Sequence, residues 1–482
     1  MTFDAGIAAS LAKQAWAGSI VPTLQSYISI PNESPAFDPE WQANGHMDRA
    51  IDLLHEWCAS RAIEGMTIEQ VRLPGLTPVL LIDVPAVGPD PPKASPALDA
   101  GTDTVLLYGH LDKQPPMEGW RDGLGPWTPV RDGDRLYGRG GADDGYAVFA
   151  ALTAIEAVRA AGGSHQRCVV LIEGSEESGS PDLPAYVEHL APRLGAVSLV
   201  ITLDSGCPDY ERLWLTTSLR GLIDAELHVD ILEVGVHSGM SGGAADSFRI
   251  ARTLLSRVED EHTGRIVIDE LWATIPEERL TQIEAAADTV GGSPADDLPL
   301  VPGARPMADT VADLLRQRTW EPSLTVIGAS GLPDIAKAGN VLRAGTALAL
   351  SFRLPPTIDA KAAAARVGEI LEADPPYGAR VRFIANQAES GWDAPATEPW
   401  LGAACEQASI ETFGPPARSI GIGGSIPFMA MLGERYPAAQ FVVTGVLGPG
   451  SNAHGPNEFL HLTCAEHITS AMARVLDAHA HR

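Results

Sequence analysis

The stretch TVLLYGHLD (residues 104–112) is a short, wholly apolar run that ends on His110 and Asp112. Such a run, without polar alternation, is what a strand covered on both faces requires. The pattern recurs three times. CVVLI (168–172) ends in EGSEESGS, SLVITL (198–203) ends on Asp204, and QFVVT (440–444) leads through the glycine loop GVLGPGSNAHG to His454. Helical segments alternate with these runs, notably 145–161, where Val148, Leu152, Ile155 and Val158 recur at helical spacing. The alternation predicts an α/β domain with a mixed, mostly parallel sheet covered by helices. In such sheets ligands bind beyond the carboxyl ends of the strands. Each of the four strands carries a His, Glu or Asp just past that end.

Outward from these strands the chain changes character. Residues 1 to about 75 read as helical, with an irregular patch at SIPNESPAFDPEW, and LTPVLLIDV is a further strand candidate. The proline- and alanine-rich stretch 85–103 reads as a surface loop. GLIDAELHVDI (221–231) alternates strictly, with Ile223, Ala225, Leu227 and Val229 on one face and Asp224, Glu226, His228 and Asp230 on the other. TALALSFRL (346–354) alternates as well. This is the pattern of antiparallel sheet with one wet face. The reading is therefore an α/β domain formed by 1–215 and 390–482, which carries the strand rim, interrupted by an inserted α+β domain at 216–389.

The chain has 482 residues, enough for two or three domains. Its net charge of −28 and lack of basic clusters argue against nucleic-acid binding. No apolar run approaches the length of a membrane span, and the N-terminal residues lack the pattern of a secretory signal. Cys58, Cys168, Cys207, Cys405 and Cys464 are scattered without CxxC pairs. That suits a reducing cytoplasm and argues against a thiolate zinc site. There is no Walker loop and no HExxH motif. GRGGAD lacks the third glycine of a dinucleotide fingerprint, and GGSIP is not a nucleophile elbow.

The candidate chemistry lies on the strand rim: His110, Asp112, Asp143, Asp144, Glu176, Glu177, Asp204 and His454. Two imidazoles and several carboxylates without cysteine suit zinc, manganese or cobalt. Clustered carboxylates alone would repel and raise one another's pKa, and two divalent ions relieve that repulsion. In GRGGADDGYAVFAALTAIEAV (138–158) one aspartate, Asp144, can serve the helix start. The other, Asp143, can project to the ions and bridge them.

Taken in order, YGHLDKQP, YGRGGADDG, EGSEESGS, LDSG, GVHSGMSGG, SFRLPP, GGSIPF and NAHGPNE resemble the M20 family of metallopeptidases over nearly the whole chain. The motifs look most like those of carnosinase-like dipeptidases, and less like those of the family's carboxypeptidases, aminoacylases and desuccinylases. The resemblance implies one divalent ion, zinc before manganese or cobalt, on His110, Asp143 and Asp204, and a second on Asp143, Glu177 and His454. It implies that Asp112 orients His110, that Glu176 is the general base and acid, and that a cis peptide joins the two aspartates. The inserted domain would be a lid and dimerisation domain. His237 of GVHSG would reach from a partner subunit to stabilise the oxyanion, which implies a homodimer. Arg353, Asn340, Gly424 and Ser425 resemble the groups that hold the substrate's carboxylate. Three positions depart from the family pattern: Gly145 and Tyr146 stand where Lys-Gly is usual, and Arg343 stands where carnosinase-like chains tend to have proline.

The expected activity is hydrolysis of the amide bond of dipeptides or similar small substrates with a free carboxylate, in the cytoplasm. An N-acyl-amino-acid deacylase, or a hydrolase of an unusual amide, is the alternative on the same fold. A non-catalytic scaffold relative is a third reading, opposed by the complete set of candidate ligands.

Overall fold

A computed structural model describes residues 3–88, 103–296 and 298–482. The chain divides into two compact units. The first comprises Met1–Thr216, Ala394–Ile420 and Met431–Arg482; the second comprises Thr217–Asp393 and Gly421–Ala430. The main strands in chain order are β1 (Thr67–Val71), β2 (Val79–Val84), β3 (Asp103–His110), β4 (Arg167–Glu173), β5 (Ala196–Thr202), β6 (Gly221–Asp230), β7 (Ser323–Ser330), β8 (Gly345–Leu354), β9 (Arg380–Glu389) and β10 (Gln440–Val443).

The first unit is built on a six-stranded sheet in the order β1-β2-β4-β3-β5-β10. β4, β3, β5 and β10 run parallel, while β2 is antiparallel to both of its neighbours. The apolar runs recognised in the sequence are these parallel strands, and β3 is buried along its whole length. One face of the sheet, with Leu80, Ile82, Val105, Leu107, Val170, Ile172, Leu199 and Ile201, shares a core with helices Ala5–Ala15, His46–Ala59, Ala147–Ala160 and Leu462–Ala480. The opposite face, with Leu81, Leu106, Tyr108, Val169, Leu171 and Val200, is buried too. Burial on both faces explains why the runs show no alternation. Each such leucine or isoleucine contributes about 1.5–3 kcal/mol relative to exposure.

β1 corrects the helical reading of residues 1–75. In Thr67–Val71 only the last residue is buried, because the strand lies at the sheet edge. An edge strand of five residues carries too little apolar signal to be told from the end of a helical segment. The loop expected at 85–103 lies mostly outside the described residues.

The second unit holds an antiparallel sheet in the order β7-β8-β6-β9. On β6, Ile223, Ala225, Leu227 and Val229 are fully buried, and the residues between them are half-exposed. With Leu348, Leu350, Phe352 and Leu354 of β8 they pack against helices Ser247–Leu255 and Ala360–Glu372, through Ile250, Leu254, Val367 and Leu371. The predicted two-fold alternation is what a sheet with one covered face needs. Among the described residues, no helix is long and apolar enough to cross a membrane.

Candidate metal centre

Because β3, β4, β5 and β10 are parallel, the loops at their carboxyl ends share one rim. His110 is the last residue of β3, paired in register with Glu173 at the end of β4. Glu176 and Glu177 open a single 3-10 turn just beyond β4. Asp204 stands two residues past β5. Asp143 lies in the turn before helix Ala147–Ala160, and its peptide bond to Asp144 is cis. His454 sits in the loop after β10.

These side chains converge. His110 Nε2 lies 3.4 Å from Asp143 Oδ1, 3.8 Å from Asp204 Oδ2 and 3.9 Å from Glu176 Oε2. His454 Nε2 lies 3.0 Å from Asp143 Oδ2 and 3.4 Å from Glu177 Oε2. Two sets could each hold an ion, His110 with Asp143 and Asp204, and Asp143 with Glu177 and His454. Within each set the donor atoms lie within 4.8 Å of one another, and Asp143 is common to both.

Asp112 fixes the geometry from behind. His110 Nδ1 is 3.1 Å from the Asp112 carbonyl and 3.4 Å from Asp112 Oδ1, which leaves Nε2 facing the rim. The same carboxylate accepts the backbone N–H groups of Glu176 at 3.1 Å and Glu177 at 3.0 Å. One buried aspartate therefore orients an imidazole and pins the turn that carries both glutamates. Carboxylates behind ligand histidines commonly play this part.

The electrostatics bear on what the cluster could hold. Burial, and then the Asp204 charge, pushes the Glu176 carboxyl well above the usual range. Burial and Asp143 do the same to Glu177. Burial raises Asp204 to about 6 against the pull of His110. Asp143 resists its own burial and stays well below the usual range, held by His110 and His454. Burial opposes charge on His110, yet Asp112, Asp143, Asp204 and Glu176 raise its pKa well above that of an ordinary histidine. His110 Nε2 and Glu177 Oε1 are buried and find no hydrogen-bond partner among the described residues. A nitrogen and oxygen donor set with orphaned atoms aimed inward fits divalent cations, which offset the carboxylate repulsion directly.

Asp144 departs from its expected part. The residue preceding helix Ala147–Ala160 is Tyr146, and no side chain caps the helix there. Asp144 is wholly buried instead, and burial with the nearby Asp204 charge raises its pKa well above the usual range. The structure also explains glycine at 145. A Cβ there would lie 2.5 Å from the Gly140 carbonyl oxygen and would collide with the Tyr27 ring.

Three residues of the quoted motifs join the site without having been assigned to it. Gln114 Nε2 donates to Glu177 Oε2 at 2.6 Å. Arg139 and Glu458 form a fully buried ion pair between the Asp143 and His454 loops. Their places in HLDKQP, YGRGG and NAHGPNE were the available signal.

The remaining expected residues, His237, Arg353, Asn340, Gly424 and Ser425, fall in the second unit. His237 ends the two-residue strand Val236–His237, and its Nδ1 accepts the Gly239 N–H at 3.0 Å. A neutral ring so held carries its proton on Nε2. The Asn340 carbonyl accepts the Ser238 N–H at 2.9 Å, and the Gly424 carbonyl accepts the Arg220 N–H at 3.1 Å. Ser425 is half-buried. Arg353, on β8, is half-buried, and its Nη1 finds no hydrogen-bond partner among the described residues.

The model of peptidase family M20/M25/M40 matches residues 106–478. The chain belongs to this family. It is 31% identical over 396 residues to a cysteinylglycine-S-conjugate dipeptidase of Corynebacterium striatum, covering 77% of this chain and 80% of that protein. The fold of the dipeptidase Dug1p from Saccharomyces cerevisiae superposes with a TM-score of 0.76 at 22% identity, over the full length of both chains. Human carnosine dipeptidase 1 superposes with a TM-score of 0.73 at 22% identity, over 99% of this chain and 100% of that one.

Proposed function

We propose that this M20 enzyme hydrolyses the amide bond of dipeptides or similar small substrates with a free carboxylate, using two divalent ions. One observation carries the reading. Asp143 belongs at once to both ligand sets, so the two ion positions share a carboxylate. The dipeptidase relative from Corynebacterium striatum supports the substrate class. His110, Asp143 and Asp204 would hold one ion, and Asp143, Glu177 and His454 the other, with zinc favoured by the imidazole and carboxylate donors. Bound there, such ions polarise a carbonyl and lower the pKa of water toward neutrality.

The chain's own residues supply the rest. Glu176 Oε2 faces the His110 side of the rim, and its buried carboxyl holds protons more tightly than a free glutamate does. It takes the proton of the attacking water and delivers it to the leaving amine. Asp112 keeps the Glu176 backbone and the His110 ring in place for that exchange. His237 of the partner subunit serves as donor to the developing oxyanion. Arg353, with Asn340 and the Gly424–Ser425 backbone, takes the substrate carboxylate, a task suited to a guanidinium fork. We assign the second unit to homodimer formation. The sheet edge at β7 supports this, since Val326 and Ile327 there are exposed. The five cysteines are free and buried, in keeping with a cytoplasmic protein.

The test is hydrolysis by the purified protein of a panel of dipeptides, N-acyl amino acids and longer peptides. It is run as isolated, after chelation, and after return of zinc, manganese or cobalt. Dipeptide cleavage should vanish with chelator and return with metal. Turnover confined to N-acyl amino acids would replace the dipeptidase assignment with a deacylase, and activity indifferent to chelation would overturn the two-metal reading.

A further inference from the structure

The two ion positions are held in unlike ways. His110 is the end of a buried central strand, and its side chain is fully enclosed. The His454 side chain is 57% exposed and rides on a loop. Three non-glycine residues of that loop, Asn452, His454 and Asn457, have φ of 54°, 63° and 63°, in the left-handed region that side chains disfavour. Such a backbone persists only where its surroundings over-determine it.

Arg139 and Glu458 supply that determination. Arg139 is 1% exposed and Glu458 fully buried. The guanidinium pairs with Glu458 Oε2 through Nη1, donates to the Gly455 carbonyl through Nη2 at 2.9 Å, and donates to the Pro115 carbonyl through Nε at 3.1 Å. Glu458 Oε1 accepts the Gly140 N–H at 2.9 Å, and the Glu458 carbonyl accepts the Gly138 N–H at 3.0 Å. The pair thereby ties the chain after His110, the turn before Asp143 and the His454 loop into one knot. Arg121 N–H adds a bond to Asn457 Oδ1 at 2.7 Å. Neither Arg139 nor Glu458 offers an atom to either ligand set.

We infer that the buried Arg139–Glu458 pair is a positioning device chiefly for one ion position, that of Asp143, Glu177 and His454, and governs its affinity more than that of the other, with which it has only Asp143 in common. The inference rests on the two-metal reading above. The carboxylate and the two carbonyls are each met by a different nitrogen of one planar fork. Lysine keeps the charge and loses the fork.

The experiment is calorimetric titration of zinc into chelated full-length protein, wild type and variants, with His454→Ala marking which binding event belongs to that position. Arg139→Lys should weaken the marked event about 10–100-fold, the usual effect of disturbing what stands behind a ligand, and weaken the other distinctly less, since of its residues only Asp143 follows the turn that Glu458 holds. Turnover should recover at high zinc with KM unchanged, since every ligand and Glu176 remain. In the metal-free variant, amides of Gly455 and Phe459 should exchange hydrogen faster while those of β3 and β5 do not. Glu458→Gln, which keeps the shape of the side chain, should weaken the same event and serves if Arg139→Lys fails to fold. Wild-type protein that binds fewer than two ions would overturn the two-metal reading itself. Two wild-type events with the marked one unchanged in a folded variant, or both weakened equally, would overturn the positioning role alone.

Discussion

Asp112→Asn tests how much of the centre depends on one buried carboxylate. Asp112 accepts two backbone N–H groups, one on each oxygen, at 3.1 and 3.0 Å, and sits 3.4 Å from His110 Nδ1. Asparagine has nearly the same shape but only one acceptor. Its amide nitrogen must face either the Glu176 or the Glu177 N–H, donor against donor. The loss is one charge-assisted bond plus one stranded buried donor, together about 2–4 kcal/mol. Part of this appears as lost stability and part as lost metal binding, since the turn bearing Glu177 and the ring of His110 both lose their anchor. A weakening of zinc binding by about 10–100-fold corresponds to about 1.4–2.8 kcal/mol, within the same range. The assay pairs urea unfolding of chelated protein with zinc competition against a chromophoric chelator. Unlike Arg139→Lys, this variant should weaken both ion positions to a similar degree, because Asp112 serves a residue particular to each set, His110 and Glu177. A folded Asp112→Asn protein with wild-type zinc affinity at both positions would refute the reasoning.

Other changes separate the roles further. Glu176→Gln should keep both ions and the fold while turnover drops about 10²–10⁴-fold; loss of an ion, read by metal analysis after dialysis, would show that the two glutamates had been assigned in reverse. His237→Ala should lower kcat about 10²–10³-fold without changing zinc stoichiometry, and full activity would remove its oxyanion role. Burial raises Glu173 to about 7, although Tyr108 and Ser180 donate to it. A carboxyl raised on folding stabilises below its unfolded pKa and loses that contribution as pH rises through the folded value. Metal-free protein should therefore lose about 3 kcal/mol from this group between about pH 4 and 7, and Glu173→Gln should flatten that part of the urea-midpoint profile.

The parallel strands were legible because burial on both faces removes every polar residue from the run, as in Val105, Leu106 and Leu107. β6 and β8 were legible for the opposite reason, their strict two-residue alternation. The candidate ligands could be read because each closes such a run or follows a glycine turn. Where the sequence fell short, the deciding contact was remote or the signal weak. Glu458 lies 319 residues from Arg139, and nothing local to either residue announces the pair. Asp144 has the look of a helix cap. The chain first passes through Gly145 and Tyr146, so the helix begins at Ala147 and the carboxylate is left in the interior. β1 is an edge strand with a single buried residue.

The glycine at 145 shows how a departure from the family pattern is absorbed. A lysine there would need room that the Tyr27 ring and the Gly140 carbonyl already fill. Tyr27 is not free to move aside, because its hydroxyl donates to the Leu111 carbonyl at 2.5 Å, beside His110. A buried ammonium is nonetheless present. Lys113 Nζ stands 4.0 Å from the centre of the same ring and donates to the carbonyls of Tyr27 at 2.8 Å and Ile30 at 2.7 Å. Its stem crosses Gly140, where a Cβ would lie 2.5 Å from Lys113 Cγ. Glycine at 140 and 145, tyrosine at 27 and lysine at 113 are thus one packing solution. Burial drives the Lys113 pKa well below that of a free lysine, and carbonyl acceptors are what a desolvated ammonium needs. A lysine added at 145 alone would have neither space nor partners, so the difference from the family pattern cannot be reversed at a single position without dismantling the support beneath His110.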